Sequence, residues 1–545
     1  MKKLSLYLFT VALAITACNF KSEPVDLILH NAVIYTNNPE QEKAQAVAIK
    51  GNRIVALGAE RKILNTYQAA KSIDLKGAFV YPGFVDAHCH FLGLGETLQQ
   101  VNLQGVRSFD EFAEKLHRFH RNHPEQWIYG RGWDESLWPD KKIPSIAQLD
   151  SLFPNTPVYL KRVDGHAAVI NSVVANMINV RPSLSIQGGL FVYKNKQFTG
   201  HIIDEAMTLV DNILPPFNTT QQAKAFLAAQ SVCFKNGLTA LTDAGLDIEH
   251  ILLIDSLHQG DDLKIMLNVM ASDKAENKNY LFKNGHIQTE RLQVNSFKFY
   301  ADGSLGSRSA KLKHPYHDHT GSGMLMKDPD YFQHEAEQMH AHNFQMNTHC
   351  IGDSAVALML RVYANVLGGT NDRRWRIEHA QVVSKNDLHV FKQYSIIPSV
   401  QPTHALSDRR WAKKRLGAQR LGGAYAYKDL LATNGMLAFG TDFPVEQVSP
   451  LRTFFAAVFR KEPGEQGDGW QTGQALSRAE ALKAMTIGPA IAAHQDSLYG
   501  SIEPGKLANF TILDTDLLND SEKRLAQTRV LKTLVMGEIV YENIE

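Results

Sequence analysis

Residues 82–90 read Pro-Gly-Phe-Val-Asp-Ala-His-Cys-His. Alternate side chains on a strand share one side. A β-type run over Phe79–Asp86 that leads into His88 and His90 therefore aims two imidazoles at one point. Converging neutral imidazoles make a seat for zinc or a similar cation. The pair alone is a moderate signal, and four further stretches strengthen it. Lys298 stands in Phe297-Lys298-Phe299-Tyr300-Ala301-Asp302, His349 precedes Cys350-Ile351-Gly352-Asp353, His379 closes Ile377-Glu378-His379, and Asp442 closes Gly440-Thr441-Asp442. Each lies at or near the carboxyl end of a run that reads as a strand.

The elements that must position these residues are legible as a pattern. Eight strand-like runs alternate with helix-like segments: Phe79–Asp86, Leu238–Asp243, Lys264–Met270, Ser296–Ala301, Gln345–His349, Arg376–His379, Ile396–Val400 and Met436–Gly440. That alternation predicts parallel α/β structure, and eight units predict a TIM-like (β/α)8 barrel, whose chemistry sits at the carboxyl ends of its strands. The long interval after His90 predicts a large insertion after the first barrel strand, about residues 95–235, lying over the mouth. Short strands over Val25–His30, Ala32–Tyr35, Gln45–Lys50, Arg53–Gly58 and Ser72–Leu75, with Phe510–Leu513 and Thr533–Glu542 in the tail, predict a small β-sandwich built from both chain ends. The expected divisions are 25–80 and 496–545 for the sandwich and 81–495 for the barrel.

With 545 residues the chain exceeds one ordinary domain. Its 44% hydrophobic and 21% charged content is that of a globular protein, and a net charge of +1 without a basic block argues against nucleic-acid binding. Lys2 and Lys3 precede an apolar run, Leu4–Ala14, too short to span a membrane, which ends in Ile15-Thr16-Ala17-Cys18. Small residues before a cysteine resemble the lipobox of a bacterial lipoprotein signal. On that resemblance residues 1–17 are removed, Cys18 carries a lipid that tethers an exported protein to the membrane, and residues 18–24 form a tether. An ordinary secretory signal with a chance cysteine is the alternative. Removing Lys2 and Lys3 takes the 57 basic residues to 55 against 56 acidic ones, a mature charge of about −1. Cys89, Cys233 and Cys350 are expected to be buried free thiols.

The stretches PGFVDAHCH, GRGWDESLW, DGHAAVINS, FKFYADGSLGSRSA, HCIGDSA, IEHAQ, SVQP, GTDFPVE and PGKLANFTILD span nearly the whole mature chain. Together they resemble the amidohydrolase superfamily of metal-dependent hydrolases, and within it amidohydrolase family 3, with its YtcJ-like and N-substituted formamide deformylase-like members. Asn509 departs from the Asp usual in the tail motif. The resemblance implies two divalent ions, zinc by the donor types. His88, His90 and Asp442 would hold the more buried ion, His349 and His379 the more exposed one, and Lys298 would bridge both as a carbamate formed with carbon dioxide. The chemistry agrees, since an ammonium cannot ligate a cation whereas a buried lysine is more readily neutral. The alternatives are an ion pair between Lys298 and Asp302 or another carboxylate, and a single-ion site.

Such a site implies hydrolysis of a carbon–nitrogen bond in a small non-peptide amide. A metal-activated water would attack the carbonyl, and Asp442 would carry its proton to the leaving nitrogen. Trp133, Asp134, His166 and Arg308 are candidate substrate contacts, with lid packing the alternative for Trp133. Asp302 and Glu378 are candidates for orienting the ligands. The cluster His314, His317 and His319 reads as a solvated loop. Ester, lactone or phosphoester hydrolysis on the same site is a second reading, because fold does not fix substrate. A non-catalytic envelope binding lipoprotein is a third. A homodimer is compatible with all of them.

Overall fold

The run read as one strand over Phe79–Asp86 is two. Phe79–Pro82 belongs to a sheet of the sandwich, Phe84–Cys89 is the first barrel strand, and the chain passes from one to the other at Gly83. Both halves are apolar, so the sequence shows no seam; only their pairing partners differ, Phe510–Leu513 for the first and Leu238–Leu246 for the second. The computed structural model describes residues 22–544 apart from 125–126, 163–164 and 187–188. The expected leader, Cys18 and most of the tether lie outside the described residues. Among the described residues no helix is long and apolar enough to cross a membrane.

Eight parallel strands form the nearly closed barrel, in chain order Phe84–Cys89, Leu238–Leu246, Met266–Ser272, Leu292–Tyr300, Gln345–Cys350, Arg376–His379, Ile397–Val400 and Ala438–Phe439. All eight expected runs are present. The seam between last and first strand is tight. A Cβ on Gly440 would stand 2.6 Å from the His88 backbone nitrogen, so only glycine lets the two strands approach. The amide of Asp442 donates to the His88 carbonyl at 2.8 Å, and the amide of His90 donates to the Phe443 carbonyl at 2.8 Å. Helices such as Pro329–Ala341 and Asp353–Leu367 stand between the barrel strands.

The sandwich pairs a four-stranded sheet from the N-terminal part with a six-stranded sheet to which both chain ends contribute. Leu27, Leu29, Val47 and Ile49 of the first meet Ile34, Val80, Phe510, Ile512 and Leu534 of the second in one apolar layer. Two local expectations need correction. The helix Glu60–Thr66 stands where no element was expected, and it covers the outer face of the first sheet through Ile63. The tail run Thr533–Glu542 is a hairpin, Val530–Val535 with Glu538–Glu542. Met536 and Gly537 turn it with φ of 52° and 84°, the left-handed pair that a two-residue hairpin requires. Asn509 stands at the junction of sandwich and barrel, accepting from the Met536 amide while its carbonyl accepts from Gly83.

The insertion is a mixed six-stranded sheet with its own helices and two apolar cores of its own. It leaves after helix Phe91–Leu98 and returns through helix Thr219–Lys235, and Gln99 donates to the Gln221 carbonyl at 2.7 Å where the two meet. Cys89, Cys233 and Cys350 are free and buried.

Candidate metal centre

The barrel brings all six candidate ligands to one end of its strands. His88 lies in the first strand and His90 just past its last residue, at the start of helix Phe91–Leu98. Their rings meet edge to face with centroids 5.7 Å apart. Asp442 follows the eighth strand, and its Oδ1 is 3.2 Å from His90 Nε2 and 3.7 Å from His88 Nε2. Lys298, in the fourth strand, places Nζ 3.1 Å from His88 Nε2. His349 ends the fifth strand region and His379 the sixth, with ring centroids 4.5 Å apart, and His379 lies 4.8 Å from His88 by the same measure. His379 and Asp442 have φ of 70° and 61°, a left-handed backbone that costs non-glycine residues of order 1–3 kcal/mol and persists where surrounding structure enforces it.

The groups around these ligands set their charge and orientation. Burial, then Lys298, lowers His88 to about 4; burial and Lys298 likewise lower His349 to about 3. Burial and the neighbouring His349 hold His379 well below the ordinary imidazole range. All three are therefore neutral at pH 7, the form a cation requires. Burial pushes Asp442 up, but His90 first and then His88, His379 and His404 outweigh it and keep the carboxylate ionised. Burial brings Lys298 down to about 8, against the opposing pull of Glu378 and Asp442. Lys298 is 1% exposed, and among the described residues no carboxylate forms an ion pair with it. Asp302, the partner considered for it, instead accepts from the amides of Ile351, Gly352 and Lys311 and so shapes the loop after His349.

Behind the ligands stands a layer of positioning groups. Glu378 Oε2 faces His88 Nδ1, and Glu378 is itself paired with the buried Arg376. His379 Nδ1 donates to Gln401 Oε1 at 2.7 Å, which leaves its Nε2 as the free donor atom. His349 Nε2 lies 3.3 Å from the Gly303 carbonyl. Asp86 accepts from the Thr441 hydroxyl at 2.6 Å and ties the first strand to the loop that carries Asp442. Among the described residues, Asp442 Oδ1 and His404 Nε2 are buried without a hydrogen-bond partner. Neutral imidazoles, an ionised carboxylate and a lysine with no carboxylate in contact among the described residues fit a divalent cation.

Residues 71–541 match the amidohydrolase family (Amidohydro_3). The chain belongs to the amidohydrolase family. The amidohydrolase is 30% identical to the YtcJ protein of Bacillus subtilis over 94% of its own length and 99% of the relative. It is 24% identical to an N-substituted formamide deformylase of Arthrobacter pascens, over 95% of its own length and 98% of that enzyme. The crystal structure of an uncharacterized metal-dependent hydrolase from Pyrococcus furiosus superposes with a TM-score of 0.76 at 29% identity, covering 90% of this chain and all of that one. The amidohydrolase thus has the barrel of a metal-dependent hydrolase, with histidine and aspartate groups at its mouth able to bind a metal.

The four candidate substrate contacts are otherwise engaged. Trp133 is 0% exposed in the core of the insertion, where its indole N–H donates to the Leu160 carbonyl; it packs that core and does not wall a pocket. Asp134 accepts from the Ser136 amide and pairs with Arg162 at 3.0 Å. His166 is on the surface, its side chain 80% exposed, and pairs with Asp204 at 2.8 Å. Arg308 gives both of its observed side-chain hydrogen bonds to Asp318, so its charge is already answered inside the protein. Motif membership placed these residues in the family pattern but carried no information on which way each side chain points. His314, His317 and His319 are exposed, as expected.

Sequence reasoning missed His404, which sits beside Asp442 in the first turn of the helix that follows the seventh strand. The signal was present: the stretch Ser399-Val400-Gln401-Pro402-Thr403-His404 follows that strand's carboxyl end, the same rule that found the other ligands.

Proposed function

We propose that this amidohydrolase cleaves a carbon–nitrogen bond in a small non-peptide amide such as a formamide, an N-acyl compound or a cyclic amide. The observation that carries the reading is Asp442, an ionised carboxylate at the barrel mouth 3.2 Å from His90 and 3.7 Å from His88. Divalent ions held by His88, His90, Lys298, His349, His379 and Asp442, zinc by the donor set, would lower the pKa of water and polarise a carbonyl oxygen. Asp442 accepts the proton of the attacking water and delivers it to the departing nitrogen. An amine leaves poorly without that proton, whereas an activated ester does not need it, so a placed proton carrier favours amides. Likeness to a formamide deformylase supports the same substrate class.

Lys298 serves as a carbamate in this reading. Its neutral amine would add to the carbon of carbon dioxide and lose the N–H proton to solvent, giving an anionic group that could help hold the ions. Burial, which brings the amine down to about 8, supports that role. The chain is exported and held at the membrane by a lipid on Cys18.

Elemental analysis of the purified chain beside Lys298→Ala, followed by a panel of matched amides and esters, tests the proposal. About two zinc ions in the parent, fewer in the variant and preferential turnover of amides are expected. Turnover of esters alone would move the activity to ester, lactone or phosphoester substrates. No retained metal after loading with zinc and bicarbonate would make this a binding protein on a retained barrel.

A further inference from the structure

The six ligands considered so far leave one imidazole at the centre unexplained. His404 lies in the first turn of helix Pro402–Arg420, which starts directly after the seventh barrel strand. Pro402 at the first helical position fixes where that turn begins, and the His404 amide donates to the Gln401 carbonyl. The turn therefore holds the His404 ring at the mouth. It runs nearly parallel to the ring of His379, with 18° between planes and 5.9 Å between centroids. Its Nε2 is 3.5 Å from Asp442 Oδ2.

That separation is informative. It is too long for an ordinary hydrogen bond, and among the described residues His404 Nε2 is buried with no other partner. With zinc bonds of about 2.0–2.2 Å in a tetrahedral arrangement, two ligand atoms on the same ion stand about 3.3–3.6 Å apart. The distance from Asp442 to His404 falls within that range.

Donor atoms of His379, His404 and Asp442 all lie within 4.8 Å of one another, and so do those of His88, His90 and Asp442. Asp442 belongs to both groups and divides its oxygens between them, Oδ1 toward His88 and His90 and Oδ2 toward His404. His379 is already oriented for ligation, because its Nδ1–H donates to Gln401 Oε1. Two imidazoles and a carboxylate are a donor set for zinc or a similar divalent ion.

We infer that His404 is a metal ligand, that it holds the second divalent ion together with His379 and Asp442, and that the Asp442 carboxylate spans the two ions. The inference rests on the reading of this mouth as a metal centre. It adds a donor from the seventh strand to a second-ion set otherwise made of His349 and His379.

The test uses the full chain in detergent: the parent, His404→Gln, and His317→Gln as a control on an exposed loop histidine. Zinc per chain is measured by elemental analysis, and zinc affinity by competition with a chromophoric chelator. The parent and the control are expected to hold about two ions. In His404→Gln one ion is expected to remain, the other binding more than ~100-fold weaker, since removing even an outer-shell partner costs 10–100-fold. Two ions of unchanged affinity in His404→Gln overturn the assignment and leave the metal-centre reading standing. One ion in the parent does the same, and none in the parent ends both. If His404→Gln does not fold, modification of His404 in the parent decides. Zinc is expected to protect His404 from diethylpyrocarbonate, read by peptide mass, and equal modification with and without zinc overturns the inference.

Discussion

Replacing Glu378 with glutamine tests how the barrel interior supports its own ligands. Arg376 and Glu378 are two apart on the sixth strand, so both point inward, and both side chains are 0% exposed. Arg376 Nε lies 2.6 Å from Glu378 Oε1, Nη2 donates to Oε2 at 3.1 Å, and Nη2 also reaches Ser399 Oγ at 2.9 Å. Glu378 Oε2 faces His88 Nδ1 as well. Burial pushes the Glu378 carboxyl up, but Arg376, His88 and Lys298 together hold it at about 2 instead of the ordinary 4.5. That difference corresponds to about 3 kcal/mol of preference for the ionised form. Breaking a buried pair from one side costs about 3–5 kcal/mol, because the surviving charge is stranded. Glu378→Gln keeps the volume and removes the charge, so the zinc-free protein should lose about 3–5 kcal/mol in denaturant unfolding. Its zinc affinity should fall roughly 10–100-fold, as His88 loses the partner that orients it. The depressed carboxyl contributes stability above about pH 4.5 that is lost as pH falls through about 2, so the gap between parent and variant should narrow over that window. The double variant Arg376→Met/Glu378→Leu, which removes both charges, should be milder than the single one. A Glu378→Gln protein within about 1 kcal/mol of the parent and with unchanged zinc affinity would refute the reasoning.

Three further outcomes follow from named contacts. Zinc-loaded Asp442→Asn should lower amide hydrolysis by ~10³-fold and activated-ester hydrolysis by less, measured as kcat on matched substrates; equal losses on both at unchanged zinc per chain would remove the proton-carrying role. Trp133→Ala should cost about 3–5 kcal/mol through a cavity and a lost hydrogen bond in the core of the insertion, with zinc per chain unchanged. Unchanged stability with a raised KM would instead put the indole against substrate. Cys18→Ala should move the chain from the detergent phase to the aqueous phase on Triton X-114 partitioning, and continued membrane association would argue against the lipid anchor.

The eight barrel strands were legible because each is a short apolar run with a helical segment after it, and local alternation is enough to reveal that. The convergence of the candidate ligands was legible for a related reason. His88, His349, His379 and Asp442 stand at strand ends, and in a parallel barrel every strand's carboxyl end faces the same mouth, so one-dimensional position already implies convergence. The break at Gly83 was hidden because both sides of it are apolar and differ only in which strand they pair with. The directions of Trp133, Asp134, His166 and Arg308 were hidden because each is decided by a partner brought near only by folding: Leu160, Arg162, Asp204 and Asp318. The distribution of Asp442's two oxygens between His90 and His404 belongs to the same class. Periodicity along a chain reports which face a residue occupies, whereas the partner across that face is set by closure of the barrel.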